Sequence, residues 1–209
     1  MPSVAYGCCV GSWDKFGANV LPRALAGASV LGLSGQTSIA DAYNSILGAY
    51  AYADLDMAIL QHDDLEIVDP DAAAKFAKAF AEDDQIALVG VAGGSVRGGL
   101  GWWAQDPIGR VQADTTMVDF GVHSGEVEML DGCLLVFSPW ALRYLRFTSR
   151  SGFHGYDADI ATKARRQHGK RVMVVDVEVH HHTALGFDNE ASQADWLAAD
   201  QDFRKRWGI

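Results

Sequence analysis

Metal-ligand side chains follow an apolar run in the first third of the sequence. Residues 55–61 have the composition of a β-strand, and His62, Asp63 and Asp64 come directly after it. Side chains alternate along a strand, so His62 and Asp64 point to one side and Asp63 to the other. An imidazole and a carboxylate suit a divalent ion such as Mn²⁺ or Mg²⁺, which can also bind diphosphate oxygens. The alternative is a solvated acidic turn that caps the next helix.

Three consecutive histidines, His180, His181 and His182, follow a second predicted strand near the end of the sequence. Imidazoles at the end of a strand are common metal ligands. If this strand neighbours the one that ends at His62, a histidine of the run would complete a single site with Asp64. Alternation allows only one or two of the three to face the metal. The alternative is a surface loop.

An aspartate at the start of a predicted helix over residues 156–168 is a candidate general base. At helical spacing Asp157 begins the inward-facing side of that helix, whereas Asp159 points elsewhere. The positive end of the helix dipole favours the ionised carboxylate, which could take a proton from a hydroxyl group. The alternative is that Asp157 or Asp159 only caps the helix.

Two tryptophans and one asparagine are candidates for contacts with a ligand. Trp102 and Trp103 follow residues 93–101, where five of nine residues are glycine, which predicts a mobile or closely approached loop. Adjacent tryptophans on an extended segment cannot both lie in the core, so one offers a flat face to a sugar or a base. Asn44 lies at the edge of an apolar helical stripe, where its amide needs a partner, either a ligand or a loop backbone.

The elements that must position these side chains alternate between apolar strands and helical periodicity. Strands are predicted over residues 4–10, 29–33, 55–61, 86–91, 130–137 and 171–179, and helices over residues 21–28, 39–50, 71–80 and 156–168. This alternation predicts an α/β fold with a mostly parallel central sheet, in which ligands bind at the carboxyl ends of the strands.

Composition narrows the class of protein further. The 209 residues are 49% hydrophobic and 21% charged, which suits one domain over residues 1–209. The net charge of -10 gives no electrostatic support to nucleic-acid binding. We expect no membrane span and no signal peptide. The adjacent Cys8 and Cys9 are expected to pack as small apolar residues, which suits a reducing cytoplasm.

Five segments together resemble the GT-A glycosyltransferases of the large family-2 type, and more narrowly the streptomycin-biosynthesis-type branch. They are residues 38–44, 60–64, 130–132, 153–159 and 181–183, which occur in the family's order. The resemblance covers about residues 29 to 187. It implies a GT-A (Rossmann-like) fold and an inverting reaction with Asp157 as the base, while Asp159 is the fallback base and an expected acceptor contact. It further implies that Asp64, His62 and His181 bind Mn²⁺ or Mg²⁺. The donor would contact Asn44, Asp63, Asp131 and Gly132, and the acceptor would contact Trp102 and Trp103.

The resemblance implies transfer of a sugar from a nucleotide-diphosphate sugar, expected to be a UDP-sugar, to a hydroxyl acceptor. One alternative is a metal-dependent hydrolase or phosphoesterase that activates water with the same residues. Another is a nucleotide-sugar-binding module without catalysis, which is favoured by His62 where the family has a carboxylate. Transfer to nucleic acid is disfavoured by the acidic composition.

Overall fold

The computed structural model describes residues 2–23, 27–150, 152–183 and 190–209. The strands are β1 (Val4–Val10), β2 (Ser29–Ser34), β3 (Met57–His62), β4 (Leu65–Ile67), β5 (Ile86–Gly90), β6 (Ala92–Gly94), β7 (Ile108–Ala113), β8 (Thr116–Asp119), β9 (Gly125–Glu126), β10 (Met129–Leu130), β11 (Leu134–Phe137), β12 (Arg171–Val174) and β13 (Val179–His181). The helices are α1 (Trp13–Asn19), α2 (Ile39–Tyr50), α3 (Ala72–Glu82), α4 (Pro139–Tyr144), α5 (Tyr156–His168) and α6 (Glu190–Trp207).

The larger sheet has the strand order β2-β1-β3-β11-β5-β12-β9. β1 pairs in parallel with β2 and β3, and β5 pairs in parallel with β12. β11 is antiparallel to both β3 and β5, and β9 is antiparallel to β12. The α/β class is therefore confirmed, but the sheet is mixed where a mostly parallel one was expected. An apolar run such as β11, buried along its whole length, looks the same in either direction.

The smaller sheet has the order β10-β6-β7-β13-β4, with β8 paired to β7. In it β13 lies between β7, to which it is parallel, and β4, to which it is antiparallel. The prediction of a single strand over residues 171–179 is wrong. The chain leaves the larger sheet after Val174, at the end of β12, and enters the smaller sheet at Val179, the start of β13. Val174, Val177 and Val179 are all buried, so hydrophobicity continues across the break.

The apolar run over residues 130–137 is also two strands, β10 and β11, and not one. A turn at residues 131–133 separates them, and in it Asp131 Oδ1 accepts a 2.8 Å hydrogen bond from the Cys133 backbone N–H. The chain passes from the smaller sheet to the larger one at this turn. The turn therefore lies between the two sheets, where it can contribute to a site.

Helix α2 begins where its sequence predicts. The Ser38 hydroxyl caps it by accepting a 3.0 Å hydrogen bond from the Asp41 backbone N–H, and Tyr43, Ile46 and Leu47 are buried.

The helix predicted over residues 21–28 does not appear in its described part, which is a 3₁₀ turn at Leu21–Arg23. Residues 24–26 lie outside the described part. Helices α1, α4 and α6 were not predicted.

Two hydrophobic clusters cover the faces of the larger sheet. One contains apolar side chains of α2, α4, α5 and α6, and the other contains Phe76 of α3.

Cys8 and Cys133 are buried, Cys9 is partly buried, and all three are free thiols. No helix in the described residues is long and apolar enough to cross a membrane.

The glycine-rich segment is closely approached by neighbouring backbone. A methyl group on Gly94 would lie 2.6 Å from the Trp102 carbonyl oxygen, and one on Gly93 would meet the Met129 carbonyl oxygen. Glycine is therefore needed where β6 packs against its neighbours.

Candidate functional site

Two imidazoles and a carboxylate converge where the two sheets meet. His62 ends β3, Asp64 follows it in the turn before β4, and His181 ends β13. The antiparallel pairing of β13 with β4 sets His181 opposite Leu65 and so brings its ring next to Asp64. One ligand atom from each of the three residues lies within 4.8 Å of the others. Two imidazole nitrogens and a carboxylate oxygen suit Mn²⁺ or another divalent ion that accepts both nitrogen and oxygen ligands.

Hydrogen bonds hold Asp64 in its ionised form. Its Oδ1 lies 3.1 Å from His181 Nε2, and its Oδ2 accepts from Lys15 Nζ at 3.2 Å and from the Thr183 hydroxyl. Burial opposes the charge of Asp64, but the hydrogen bonds from His181 and Thr183 outweigh burial and hold its pKa far below the usual range. Burial likewise opposes the charge of His181, and its hydrogen bond to Asp64 raises the His181 pKa.

The protonation of His62 follows from the groups behind it. The Tyr156 hydroxyl lies 2.8 Å from His62 Nε2 and donates a 2.9 Å hydrogen bond to the Gly132 carbonyl oxygen, which can only accept. The phenol oxygen must therefore accept from a protonated Nε2, which leaves the lone pair of His62 on Nδ1. Burial, and then the charge of His181, lower the pKa of His62. Both effects favour the neutral imidazole that a metal ion requires.

Asp157 lies in a partly buried position at the start of α5. Its Oδ2 accepts a 2.9 Å hydrogen bond from the Gly132 backbone N–H, and its Oδ1 accepts one from Ala158 at 2.8 Å. Burial and the negative charge of Asp131 raise the pKa of Asp157 to about 7, against the effect of the backbone hydrogen bonds. A carboxylate that titrates near neutral pH is suited to general-base catalysis.

The turn between β10 and β11 needs a glycine at position 132. A methyl group there would meet the Tyr156 hydroxyl and would come within 3.0 Å of Asp157 Oδ2. Both contacts belong to the groups that orient His62 and the candidate base. The absence of a side chain at Gly132 therefore lets the two halves of the site approach each other.

A cleft opens beside this cluster, and six predicted residues line it: His62, Trp102, Trp103, Asp131, Gly132 and Asp157. The remaining lining residues had no role assigned from the sequence: Leu100, Phe153, His154, Gly155, Tyr156 and Trp196. The cleft thus contacts the metal-ligand cluster through His62 and is lined by aromatic rings as well.

The paired tryptophans occupy different environments, as their adjacency requires. Trp102 is 7% exposed and packs in the core, whereas Trp103 is 49% exposed. The ring of Trp103 lies 5.9 Å from that of Trp196 on α6. The aromatic wall of the cleft is therefore built from two segments far apart in the sequence.

Asn44 and Asp159 lie outside both the cleft and the metal-ligand cluster, and they bond to other parts of the chain. Both polar atoms of the Asn44 amide are used by the backbone of Phe147, with two hydrogen bonds of 2.9 Å. The loop backbone is thus the partner of this amide. Asp159 is buried, and its Oδ1 accepts a 2.9 Å hydrogen bond from Trp207 Nε1 at the end of α6.

Asp63 points away from His62 and Asp64, as expected, although β3 ends at His62 and both aspartates lie in the turn after it. Its Oδ2 accepts hydrogen bonds from the backbone N–H groups of Gly11 at 2.8 Å and Ser12 at 2.6 Å. This carboxylate ties the end of β1 to the end of β3, beside the metal-ligand cluster.

Lys15, Trp196 and Tyr156 are among the site residues that were not identified from the sequence. Lys15 lies on α1, a short helix with little apolar periodicity. Trp196 lies on α6, where only Ala199 and Phe203 are buried, so that the helix has a weak amphipathic pattern. Tyr156 stands in the 153–159 motif next to Asp157, and that proximity was the available signal for its role.

The two sheets and their flanking helices form an α/β fold of the GT-A type, which two solved structures share. The mannosyltransferase PcManGT from Pyrobaculum calidifontis, in complex with GDP-Man and Mn²⁺, aligns with a TM-score of 0.56 at 13% identity, over 93% of this chain and 59% of that one. GalNAc-T7, with UDP, GalNAc and Mn²⁺, aligns with a TM-score of 0.55 at 11% identity, over 87% of this chain and 43% of that one.

Sequence comparison then identifies the family. The model described as "Glycosyltransferase like family" matches residues 20–202. The streptomycin biosynthesis protein StrF of Streptomyces griseus is 34% identical over 196 residues, which are 88% of this chain and 69% of StrF. The chain belongs to this glycosyltransferase-like family and is a glycosyltransferase of the GT-A fold.

Proposed function

We propose that this glycosyltransferase holds the diphosphate of a nucleotide-sugar through a divalent cation, Mn²⁺ or Mg²⁺, bound by His62, Asp64 and His181. The observation that carries the proposal is the convergence of these three side chains within 4.8 Å of one another, beside a cleft that His62 lines. Two structural neighbours hold Mn²⁺, one together with UDP and GalNAc and the other with GDP-Man. These neighbours hold different nucleotides, so they do not decide the nucleotide of this chain. We propose a UDP-sugar as the donor of this chain because the family resemblance implies it.

The cation would neutralise the negative charge that develops on the departing nucleoside diphosphate. The protein's own residues prepare that site. Tyr156 and Gly132 orient the neutral His62, and the hydrogen bond to His181 keeps Asp64 ionised. The ammonium group of Lys15, which lies 3.2 Å from Asp64, adds a second positive charge on the diphosphate side.

Asp157 is the proposed base of a single displacement. Its carboxylate accepts the proton of an acceptor hydroxyl, whose oxygen forms a bond to the anomeric carbon. The bond from that carbon to the diphosphate oxygen breaks, and the electron pair leaves with the nucleoside diphosphate. The proposed transfer inverts the anomeric carbon, since in a single displacement the acceptor oxygen attacks from the face opposite the leaving group.

The aromatic end of the cleft favours transfer to an acceptor over hydrolysis. Water needs no aromatic platform, whereas the exposed ring of Trp103, beside Trp196 in the cleft, offers a stacking surface to a sugar. We therefore propose a carbohydrate or a similar hydroxyl compound as the acceptor.

The test is an incubation of the protein with a panel of nucleotide-sugars and Mn²⁺, with and without a panel of hydroxyl acceptors. Mass spectrometry follows the glycosylated acceptor, and a coupled assay follows the released nucleoside diphosphate. We expect release to require both an acceptor and Mn²⁺. Equal release without acceptor would indicate a hydrolase, and donor binding with no turnover would indicate a binding module.

A further inference from the structure

The two faces of β13 carry different histidines. His181 points toward Asp64, whereas His180 and His182, two residues apart, lie on the other face of the strand. The antiparallel register with β4 sets His180 opposite Glu66. One ligand atom from each of Glu66, His180 and His182 lies within 4.8 Å of the others. A second group of metal-ligand side chains is thus present outside the cleft.

The geometry within this group leaves room for a shared ion. The rings of His180 and His182 have centroids 3.9 Å apart, and His182 Nε2 lies 3.4 Å from Glu66 Oε2. The side chains of His182 and Glu66 are 37% and 24% exposed, so that an ion and its water ligands can reach them.

The hydrogen bond behind His180 selects a tautomer that can bind a metal. His180 Nε2 lies 3.0 Å from the Asp114 carbonyl oxygen, which can only accept, so the ring proton is on Nε2 and the lone pair is on Nδ1. The same carbonyl oxygen accepts from Gln112 Nε2 at 2.9 Å, and the Asp114 N–H donates to the His181 carbonyl oxygen at 2.8 Å. A backbone carbonyl that holds the second nitrogen is the usual support of a metal-binding histidine.

We propose that Glu66, His180 and His182 form a second cation site, which takes Zn²⁺ or a similar borderline divalent ion. Two imidazoles and one carboxylate, with water in the remaining position, are an established zinc donor set. An ion there joins β13 to β4. Since β13 also carries His181 and β4 directly follows Asp64, the ion fixes the two strands that position the first cluster. The proposal does not depend on whether the first cluster binds a nucleotide-sugar donor.

The test measures zinc bound to tag-free, full-length protein by equilibrium dialysis against ZnSO₄ and atomic emission spectroscopy. The first cluster can also bind zinc, so the main comparison uses the Asp64→Ala/His181→Ala background. We expect one zinc ion per chain in that background and none after the further changes His180→Ala and His182→Ala. Glu66→Gln should weaken binding by roughly a factor of ten or more, since even residues behind the ligands change affinity that much.

A second comparison covers the case in which the Asp64→Ala/His181→Ala background fails to fold. In the otherwise natural chain, His180→Ala/His182→Ala should lower the zinc content by one ion per chain, whereas His123→Ala, a histidine that pairs with Asp119 at 2.8 Å elsewhere, should not change it. Unchanged zinc content after removal of His180 and His182, or equal losses in the His123 control, overturns the proposal.

Discussion

At the scale of single residues, the environment of Asp157 gives a prediction about pH. A base must be deprotonated, and burial together with the charge of Asp131 raises the pKa of Asp157 to about 7. We therefore expect kcat/KM, measured at saturating Mn²⁺ so that the metal ligand His181 stays deprotonated, to fall as the pH drops through about 7 and to level off above it. Asp157→Asn should remove this acidic limb, lower kcat by roughly 10² to 10⁴ and leave donor binding intact.

Asp159→Asn is the matched control on the same helix. Asp159 bonds to Trp207 and lies away from the cleft, so this change should lower the melting temperature but keep the pH profile. Normal turnover in Asp157→Asn, or loss of the acidic limb in Asp159→Asn instead, would show that Asp157 is not the base.

Part of the site could be predicted at this scale, because strand alternation is a local rule. Alternation alone separates His62 and Asp64 from Asp63, and the structure shows Asp63 bonded to Gly11 and Ser12 on the other side. The contacts of Lys15 and Tyr156 with the cluster depend on where distant segments meet. No local pattern contains that information.

At the scale of elements, α2 offers a test of local capping. Ser38 accepts the hydrogen bond that begins the helix and is buried beside Gly152, so Ser38→Ala should lower the free energy of unfolding by about 1 kcal/mol. Ser45→Ala, on the exposed side of the same helix, should change it by less than about 0.5 kcal/mol. Urea denaturation measures both, and equal effects would argue against the capping role.

The elements also show where sequence patterns fail. Residues 130–137 and 171–179 each predict one strand, yet each contributes to two sheets. The apolar pattern is the same on both sides of each break because the chain stays buried as it crosses from one sheet to the other. Helices with a capped apolar stripe, such as α2, were predicted correctly, whereas α6 was not predicted, since it buries little of its surface.

At the scale of the whole molecule, α6 supports the far wall of the cleft. Asp200 Oδ1 accepts a 2.7 Å hydrogen bond from the Leu100 backbone N–H, and Arg204 donates to the Gly98 carbonyl oxygen. Leu100 lines the cleft, as does Trp196 of the same helix. The last helix thus holds the glycine-rich loop in place beside the aromatic part of the cleft.

The contact between Asp200 and the loop predicts an effect on the acceptor alone. Asp200→Ala removes the hydrogen bond from the Leu100 backbone N–H to the Asp200 carboxylate, which is worth about 1 to 3 kcal/mol. We expect a higher KM for the acceptor and an unchanged affinity for the donor, as measured by steady-state kinetics. Gln201→Ala, at an exposed position of the same helix, is the control and should change neither value. A change in donor affinity would contradict this assignment.

The central claim is that His62, Asp64 and His181 hold the donor through a divalent cation, and calorimetry of donor binding with and without Mn²⁺ tests it most directly. We expect Mn²⁺ to strengthen donor binding by at least about tenfold in the natural protein and in Glu82→Ala, an exposed acid on α3. Asp64→Ala and His181→Ala, checked for folding by circular dichroism, should lose this response. Donor binding of equal strength without metal, or a full response to Mn²⁺ in Asp64→Ala, would contradict the account.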